Sequence, residues 1–231
     1  MAGEKNKEKL ILEAAIATFT SKGYQSTRME DIARSAKISK GLTYFYYKNK
    51  EDVFMALTRK AFEQFKDEFR EVYRNKGRSG LEMIVDLVER IIDFAEKNQV
   101  LYDSIINFLD LMKRFNSEEG KASISPMILE SQHFQKLLEI QHDPAKLGVN
   151  IISLGIKDGS IRPELQPEIT FYTIWSMIVG YEKMRGPIEY DAKETKIRPE
   201  NWKPGFIKLI KEMLKGTIQA SRPTTVQTSL F

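Results

Sequence analysis

Apolar residues recur along this chain at intervals of three and four almost from end to end, the spacing of one helical face. From about Asn6 to Ser21 the stripe is Leu12, Ala15, Ile16 and Phe19, and it stops at Gly23. Met29, Ile32, Ala33 and Ala36 form a second, shorter stripe. Thr27 stands before it with Glu30 three residues on, which predicts a capping box. A turn at Lys37-Ile38 leads to Ser39, a good N-cap for a third helix from Lys40 to Tyr46. A long helix is predicted from its cap Asn49 to about Arg74, with Phe54, Leu57, Ala61, Phe65, Phe69 and Val72 on one face. It ends in the loop 75–80, whose glycines are Gly77 and Gly80.

The same periodicity continues. Leu81, Ile84, Val85, Val88, Ile91, Ile92 and Ala95 predict a helix ending at Asn98, and Leu101, Ile105, Phe108 and Met112 another ending before Asn116. The stretch SEEGKASIS reads as a loop. Pro126 suits the first turn of a helix from Met127 to about Gln141. Asp143 is read as the cap of a helix that Gly159 closes, with a break at 160–163. A further helix begins near Pro167, a polar loop covers Gly186 to Glu200, and a last helix runs from Lys203 to Gln219. The tail 221–231 reads as disordered. Alternating strand patterns and hairpin signals are missing, so the fold class is all-α.

Chemistry concentrates early. Helices two and three, 24–50, have the pattern of a helix-turn-helix, and the second of them carries Lys40, Tyr44, Phe45 and Tyr46, followed by Lys48, without a carboxylate. Cations and aromatics without acid suit a polyanion that offers base edges to read. The ordered set Ile11-Leu12-Glu13-Ala14-Ala15, Phe19, Lys22-Gly23-Tyr24, Asp31-Ile32-Ala33, Ala36, Ser39-Lys40-Gly41, Tyr44 and Lys48-Asn49-Lys50-Glu51 resembles the DNA-binding domain of the tetracycline-repressor (TetR/AcrR) family of bacterial transcription regulators. The resemblance covers about residues 8–57.

That resemblance implies an N-terminal three-helix DNA-binding domain, 1–49, and a C-terminal helical bundle, 50–220, that binds an effector and dimerises, with 50–74 as connecting helix. It places Lys40, Gly41, Leu42, Tyr44, Phe45 and Tyr46 on the face that enters a DNA major groove, with the Tyr44 hydroxyl reaching a phosphate, Lys37 beside a phosphate, and Ser39 and Lys48 as further DNA contacts. Thr27, Arg28 and Lys50 are implied as phosphate contacts. Lys40 would donate to guanine O6/N7, and Leu42 would touch a thymine methyl. Phe45 is open to a second reading as packing for a tiny domain, and Tyr47 reads as core. The chain departs from the family at Lys37, where Gly is usual and a positive φ is expected, at Leu42-Thr43, and at Tyr47 in place of Phe. The implied partners are a palindromic double-stranded DNA operator, a small and largely apolar effector, and a second copy of the chain.

Charge sharpens this picture. The net charge is +4, but residues 1–50 hold ten Lys/Arg against five Asp/Glu, and 51–231 hold 26 against 27. The positive excess therefore lies on the helix-turn-helix segment, the footprint of phosphate binding. Zero cysteines remove thiolate metal sites and disulfides and fit a cytoplasmic location. The N-terminal MAGEKNKEK has no apolar signal region, and no apolar run is long enough to span a bilayer, so no membrane partner is expected.

Three further sets of residues are candidates for chemistry or contact. Phe65, Phe69, Tyr102, Phe108, Met112, Phe134, Tyr172 and Trp175 are candidates for an effector pocket, against the plainer reading of core. Thr173, Ser176, Met177, Gly180 and Met184 on one helix, with Phe206, Leu209, Ile210 and Met213 on the last, are candidates for a dimer interface. Glu130-Ser-Gln-His133 and Glu139-Ile-Gln-His142 have the Glu-x-x-His spacing of di-iron bundles. A nine-residue offset on one helix puts them on opposite faces, so both histidines read as surface residues, and neither metal nor cofactor is expected. Catalytic motifs are also missing. The rival reading is a helical small-molecule-binding protein or enzyme with a vestigial helix-turn-helix.

Overall fold

The computed structural model describes residues 2–75, 77–190, 196 and 198–215, and every regular element among them is a helix. The order is α1 (Ala2–Lys22), α2 (Met29–Ser35), α3 (Lys40–Tyr46), α4 (Lys50–Arg74), α5 (Gly80–Lys97), α6 (Gln99–Phe115), α7 (Glu118–Ala122), α8 (Pro126–Leu129), α9 (Gln132–Ile140), α10 (Asp143–Lys157), α11 (Pro167–Tyr190) and α12 (Pro199–Leu214). The 25-residue α4 is the spine, about 37 Å long at 1.5 Å per residue. Its buried stripe of Val53, Leu57, Ala61, Phe65, Phe69 and Val72 packs against α5, α6, α9 and α10. Because only residues 47–49 separate α3 from α4, no flexible linker stands between α3 and the core.

The α5 N-terminus shows how the core is locked. The first N–H groups of a helix have no partner within it. Here Gly80 N–H donates to Asp158 Oδ2 at 2.8 Å, Leu81 N–H to Ser160 Oγ at 3.0 Å and Glu82 N–H to Ser79 Oγ at 3.3 Å. The loop after α10 thus caps α5 from outside. The approach is close enough that a Cβ on Gly80 would meet the Gly155 backbone nitrogen at 2.2 Å. Only Gly fits there.

Several boundaries differ from the sequence expectation. The first helix starts at Ala2 rather than Asn6. The capping box is not Thr27 with Glu30: Arg28 occupies the cap and its N–H donates to Asp31 Oδ2 at 3.1 Å. A short helix, α7, forms inside the expected loop SEEGKASIS, capped by Ser117. The single helix expected from Met127 to Gln141 is two, α8 and α9, divided at Ser131. Asp143 does not cap α10; His142 holds that position, and Asp143 pairs with Lys66 of α4. α11 continues through Gly186 and Pro187 to Tyr190, into the expected loop. The last helix starts at Pro199 and keeps Pro204 inside it. Its expected end at Gln219 and the tail 221–231 lie outside the described residues.

Candidate nucleic-acid interface and effector core

The first three helices close on a small core of Ile11, Ala14, Ala15, Phe19, Met29, Ile32 and Tyr47. Phe19 packs on Tyr24 with ring centroids 5.4 Å apart, and Tyr24 on Phe54 of α4 at 4.9 Å. The turn between α2 and α3 holds Lys37 at φ 55, the left-handed conformation expected where the family has Gly. For a non-glycine residue that costs about 1 kcal/mol. Ser39 then caps α3, accepting the Leu42 N–H at 3.1 Å.

Residues along α3 divide cleanly by face. Lys40, Gly41, Tyr44, Phe45 and, just beyond its end, Lys48 are exposed; Leu42 and Tyr46 are half-buried; Thr43 and Tyr47 are buried. Lys40, Gly41, Tyr44 and Phe45 have the i, i+1, i+4, i+5 spacing of one helical face, and Lys48 follows the extended Tyr47. Phe45 is 77% exposed, so its packing alternative is excluded. Tyr47 is core. Lys40 Nζ pairs with Glu30 at 2.5 Å; the lysine lowers the carboxyl pKa and the carboxylate raises that of the lysine. Arg28, Lys37 and Lys48 are exposed and form no ion pair among the described residues.

Two members of the sequence-read set are turned inward. Thr27 is 2% exposed, and its hydroxyl donates to the Gly23 carbonyl at 2.8 Å. Lys50 Nζ donates to the carbonyls of Tyr24 and Gln25 at 2.8 and 3.2 Å and lies 4.4 Å from the Tyr24 ring centre. Its ammonium ties the loop after α1 to the start of α4 instead of reaching outward. Burial, with Glu51 nearby, raises the Tyr24 hydroxyl to about 12, so it stays a neutral partner.

Behind α3 lies a junction that the sequence did not suggest. Ser131 Oγ donates to Asp52 Oδ1 at 2.7 Å, and the Tyr47 ring packs on the His133 imidazole at 5.8 Å. A cleft of about 230 Å³ opens between them, bordered by Phe45, Lys48, Asp52, Met127 and Ser131. His133 is therefore half-buried, not a plain surface residue. Burial lowers its pKa below the ordinary 6.5, outweighing Asp52, with Arg59, Glu8 and Glu63 also acting on it. The unfolded chain then binds a proton that the folded protein resists. Above pH 6.5 the two states differ little at this site, and as pH falls below 6.5 toward the depressed folded value stability is lost. A fall in melting temperature between pH 7 and 5 is expected, and His133→Gln should make it shallower. Identical pH profiles for the two proteins would refute this assignment.

The central aromatics interlock. Phe65 meets Phe94 at 4.7 Å and Trp175 at 6.0 Å, Phe62 meets Phe108 at 5.3 Å, and Phe108 meets Phe134 at 6.3 Å, all edge to face. Such pairs are core packing. Phe65, Phe69, Phe108 and Phe134 are buried and Met112 half-buried, whereas Tyr172 is 52% exposed and cannot line an interior pocket. Two polar atoms stand out within this interior. Tyr102 Oη and Glu182 Oε1 are buried without a hydrogen-bond partner. Burial raises both pKa values; Glu182 adds to the rise at Tyr102, while Arg185 opposes the rise at Glu182. Glu182 was not singled out from the sequence; a lone Glu in an amphipathic stripe carries no signal of its own.

On the opposite side of the core, α11 shows Ile169, Tyr172, Thr173, Ser176, Gly180 and Met184 on one exposed face. Leu209 of α12 is 68% exposed, and Ile169 62%. The hydroxyls of Thr173 and Ser176 bond back to the carbonyls of Ile169 and Tyr172 in their own helix, leaving this face chemically apolar. Met177 and Met213 are half-buried, Phe206 stacks on Tyr181 at 4.6 Å, and Ile210 is fully buried in the protomer. Ile210 therefore belongs to the core and not to an interface.

A capped helix-turn-helix with an acid-free, exposed third helix, joined directly to a helical core, is a DNA-binding transcriptional regulator. Residues 11–57 match the family model described as bacterial regulatory proteins, tetR family. Over these residues the chain is similar to the TetR/AcrR family of regulators. It is 28% identical over 194 residues to the uncharacterized HTH-type transcriptional regulator YhgD of Bacillus subtilis, covering 82% of this chain and 90% of that one. It is 22% identical over 186 residues to the HTH-type transcriptional repressor KstR2 of Rhodococcus jostii, covering 78% and 82%. The structure of AibR in complex with isovaleryl coenzyme A and operator DNA superposes with a TM-score of 0.61 at 16% identity, covering 90% and 98%. No helix among the described residues is long and apolar enough to cross a membrane.

Proposed function

We propose that this regulator is a repressor that binds a palindromic operator as a twofold dimer and is released by a small molecule. The carrying observation is the α3 face: Lys40, Gly41, Tyr44, Phe45 and Lys48 stand exposed together, flanked by the unpaired cations Arg28 and Lys37. Lys40 and the aromatics read base edges, Ser39 and Lys37 approach the backbone, and Arg28 and Lys48 hold phosphates. Leu42 and Tyr46, half-buried, frame that face. On binding, DNA displaces Glu30 from Lys40. Thr27 and Lys50 hold the domain together instead.

The exposed apolar face of α11 and α12 supports a second copy as partner, and one small reading domain needs a twofold mate to double its contacts. The effector enters the interior near Tyr102 and Trp175, where Tyr102 Oη and Glu182 Oε1 give it polar anchors within an apolar wall. That KstR2 is named a repressor and that AibR is described with a coenzyme A thioester and operator DNA agree with this reading.

Base reading and phosphate holding separate experimentally. Duplexes selected in vitro with the wild-type protein provide the probe. Lys48→Ala is expected to weaken selected and scrambled duplexes alike and to lower the salt slope by about 1 per protomer, whereas Lys40→Ala relaxes base preference. Unchanged binding in both variants would exclude α3 as the reading element.

A further inference from the structure

α3 has seven residues, too few to hold its own direction, so its aim is set by what it is tied to. The ties run through Asp52. One carboxylate oxygen, Oδ2, accepts the Lys48 N–H at 3.2 Å, two residues past the end of α3. The Asp52 N–H donates to Asn49 Oδ1 at 2.8 Å, which caps α4. The other oxygen, Oδ1, receives the Ser131 hydroxyl from the break between α8 and α9. A single buried carboxylate thus joins the exit of the reading helix to an element 79 positions away.

The hydroxyl of Ser131 is fully used. A serine oxygen has one proton to give and two lone pairs. It accepts the His133 and Phe134 N–H groups at 3.2 and 3.4 Å, capping α9, and gives its proton to Asp52. Capping alone needs only an acceptor, and Gly at an N-cap costs little. The donated bond to Asp52 is a separate task. The Tyr47–His133 contact joins the same two elements a few residues away on each side, and two contacts fix a rotation that one leaves open.

We propose that Ser131 is a positioning residue for DNA reading: its hydroxyl, held by α9, fixes Asp52 and through it the orientation of α3. The inference rests on α3 being the reading helix. Recovery of a preferred palindromic duplex by in vitro selection with the wild-type protein tests that premise first, so its failure is distinct from failure at Ser131.

The variants are Ser131→Gly, which keeps a tolerable cap without the hydroxyl, and Ser131→Thr, which keeps both. Affinity per active protomer is measured for the selected duplex and a scrambled one. Ser131→Gly is expected to weaken the selected duplex roughly tenfold, the scale of leaving one buried charged acceptor unmet, and to change the scrambled duplex less than twofold. Ser131→Thr should bind as wild type. Equal losses on both duplexes, or wild-type affinity in Ser131→Gly, would overturn the proposal. Should Ser131→Gly fail to fold, Asp52→Glu carries the test: it keeps the charge, moves the carboxylate by one methylene, and is expected to show the same selective loss. Wild-type discrimination in Asp52→Glu would likewise overturn it.

Discussion

Gly41→Glu is expected to abolish operator binding while leaving the protein at least as stable as wild type. Gly41 is the second residue of α3, exposed, with nothing within 4 Å of where a Cβ would stand and no positive φ to strain a side chain. Glycine within a helix is about 0.8–1 kcal/mol less favourable than alanine, and an acid in the first turn complements the helix dipole. The fold therefore gains. At the DNA surface the same change sets a carboxylate where phosphate and base edges arrive, and like charges brought together there cost several kcal/mol. That corresponds to a loss of about a hundredfold or more. Anisotropy titration beside a thermal melt reads both effects. Binding within tenfold of wild type would remove α3 from the interface.

The second large effect concerns assembly. Leu209→Asp is expected to yield a folded monomer that has lost the operator by about two orders of magnitude. Leu209 projects from α12 into solvent in the isolated chain, beside Trp202 and Phe206 at a cleft of about 710 Å³. Its replacement costs the protomer little. In a dimer it would take a carboxylate out of water in the seam, a desolvation cost that the cations Lys196, Arg198 and Lys208 along the same cleft offset only in part. Two tethered half-site contacts exceed one by roughly 10²–10⁴ through effective concentration, and that advantage disappears with the dimer. Sedimentation velocity gives the mass and a melt the stability. A stable dimer of Leu209→Asp would move the interface off this face.

Both expectations depend on positions whose exposure no sequence pattern reports, which marks the limit of what could be read beforehand. Helices with local signals were legible: Ser39 caps α3, Asn49 caps α4, and most of the stripe residues of α4 to α6 are buried as their spacing predicts. The left-handed Lys37 followed from the place of a glycine in the family pattern. Features set by distant partners were not legible. Ser131 caps α9 at the break, and its hydroxyl donates to Asp52, 79 residues away. Thr27 turned inward to a carbonyl, and Lys50 folded back onto the loop after α1, although both residue types commonly meet phosphate. α11 runs through Gly186-Pro187, where local propensity argued for a stop.

The interior tells the same story. Aromatic spacing could not distinguish core from pocket, and most of the rings interlock as core. Tyr102 and Glu182, the buried polar groups of the candidate effector site, lie 80 positions apart in the chain on α6 and α11, and no local pattern links them. Ile210 and Leu209 are neighbours in sequence, yet one is fully buried and the other 68% exposed. One helical step of about 100° separates a core residue from a surface one.

Reading DNA by sequence is the task proposed for the cationic, acid-free α3 face. The most direct measurement titrates wild-type protein with its selected palindrome and with a scrambled duplex of equal length across a salt series. The expected result is a linear fall of log K with log salt, with a slope of about −0.9 per phosphate contact. The selected duplex should keep a preference of roughly a thousandfold or more. Equal affinity for the two duplexes at every salt concentration would contradict the claim.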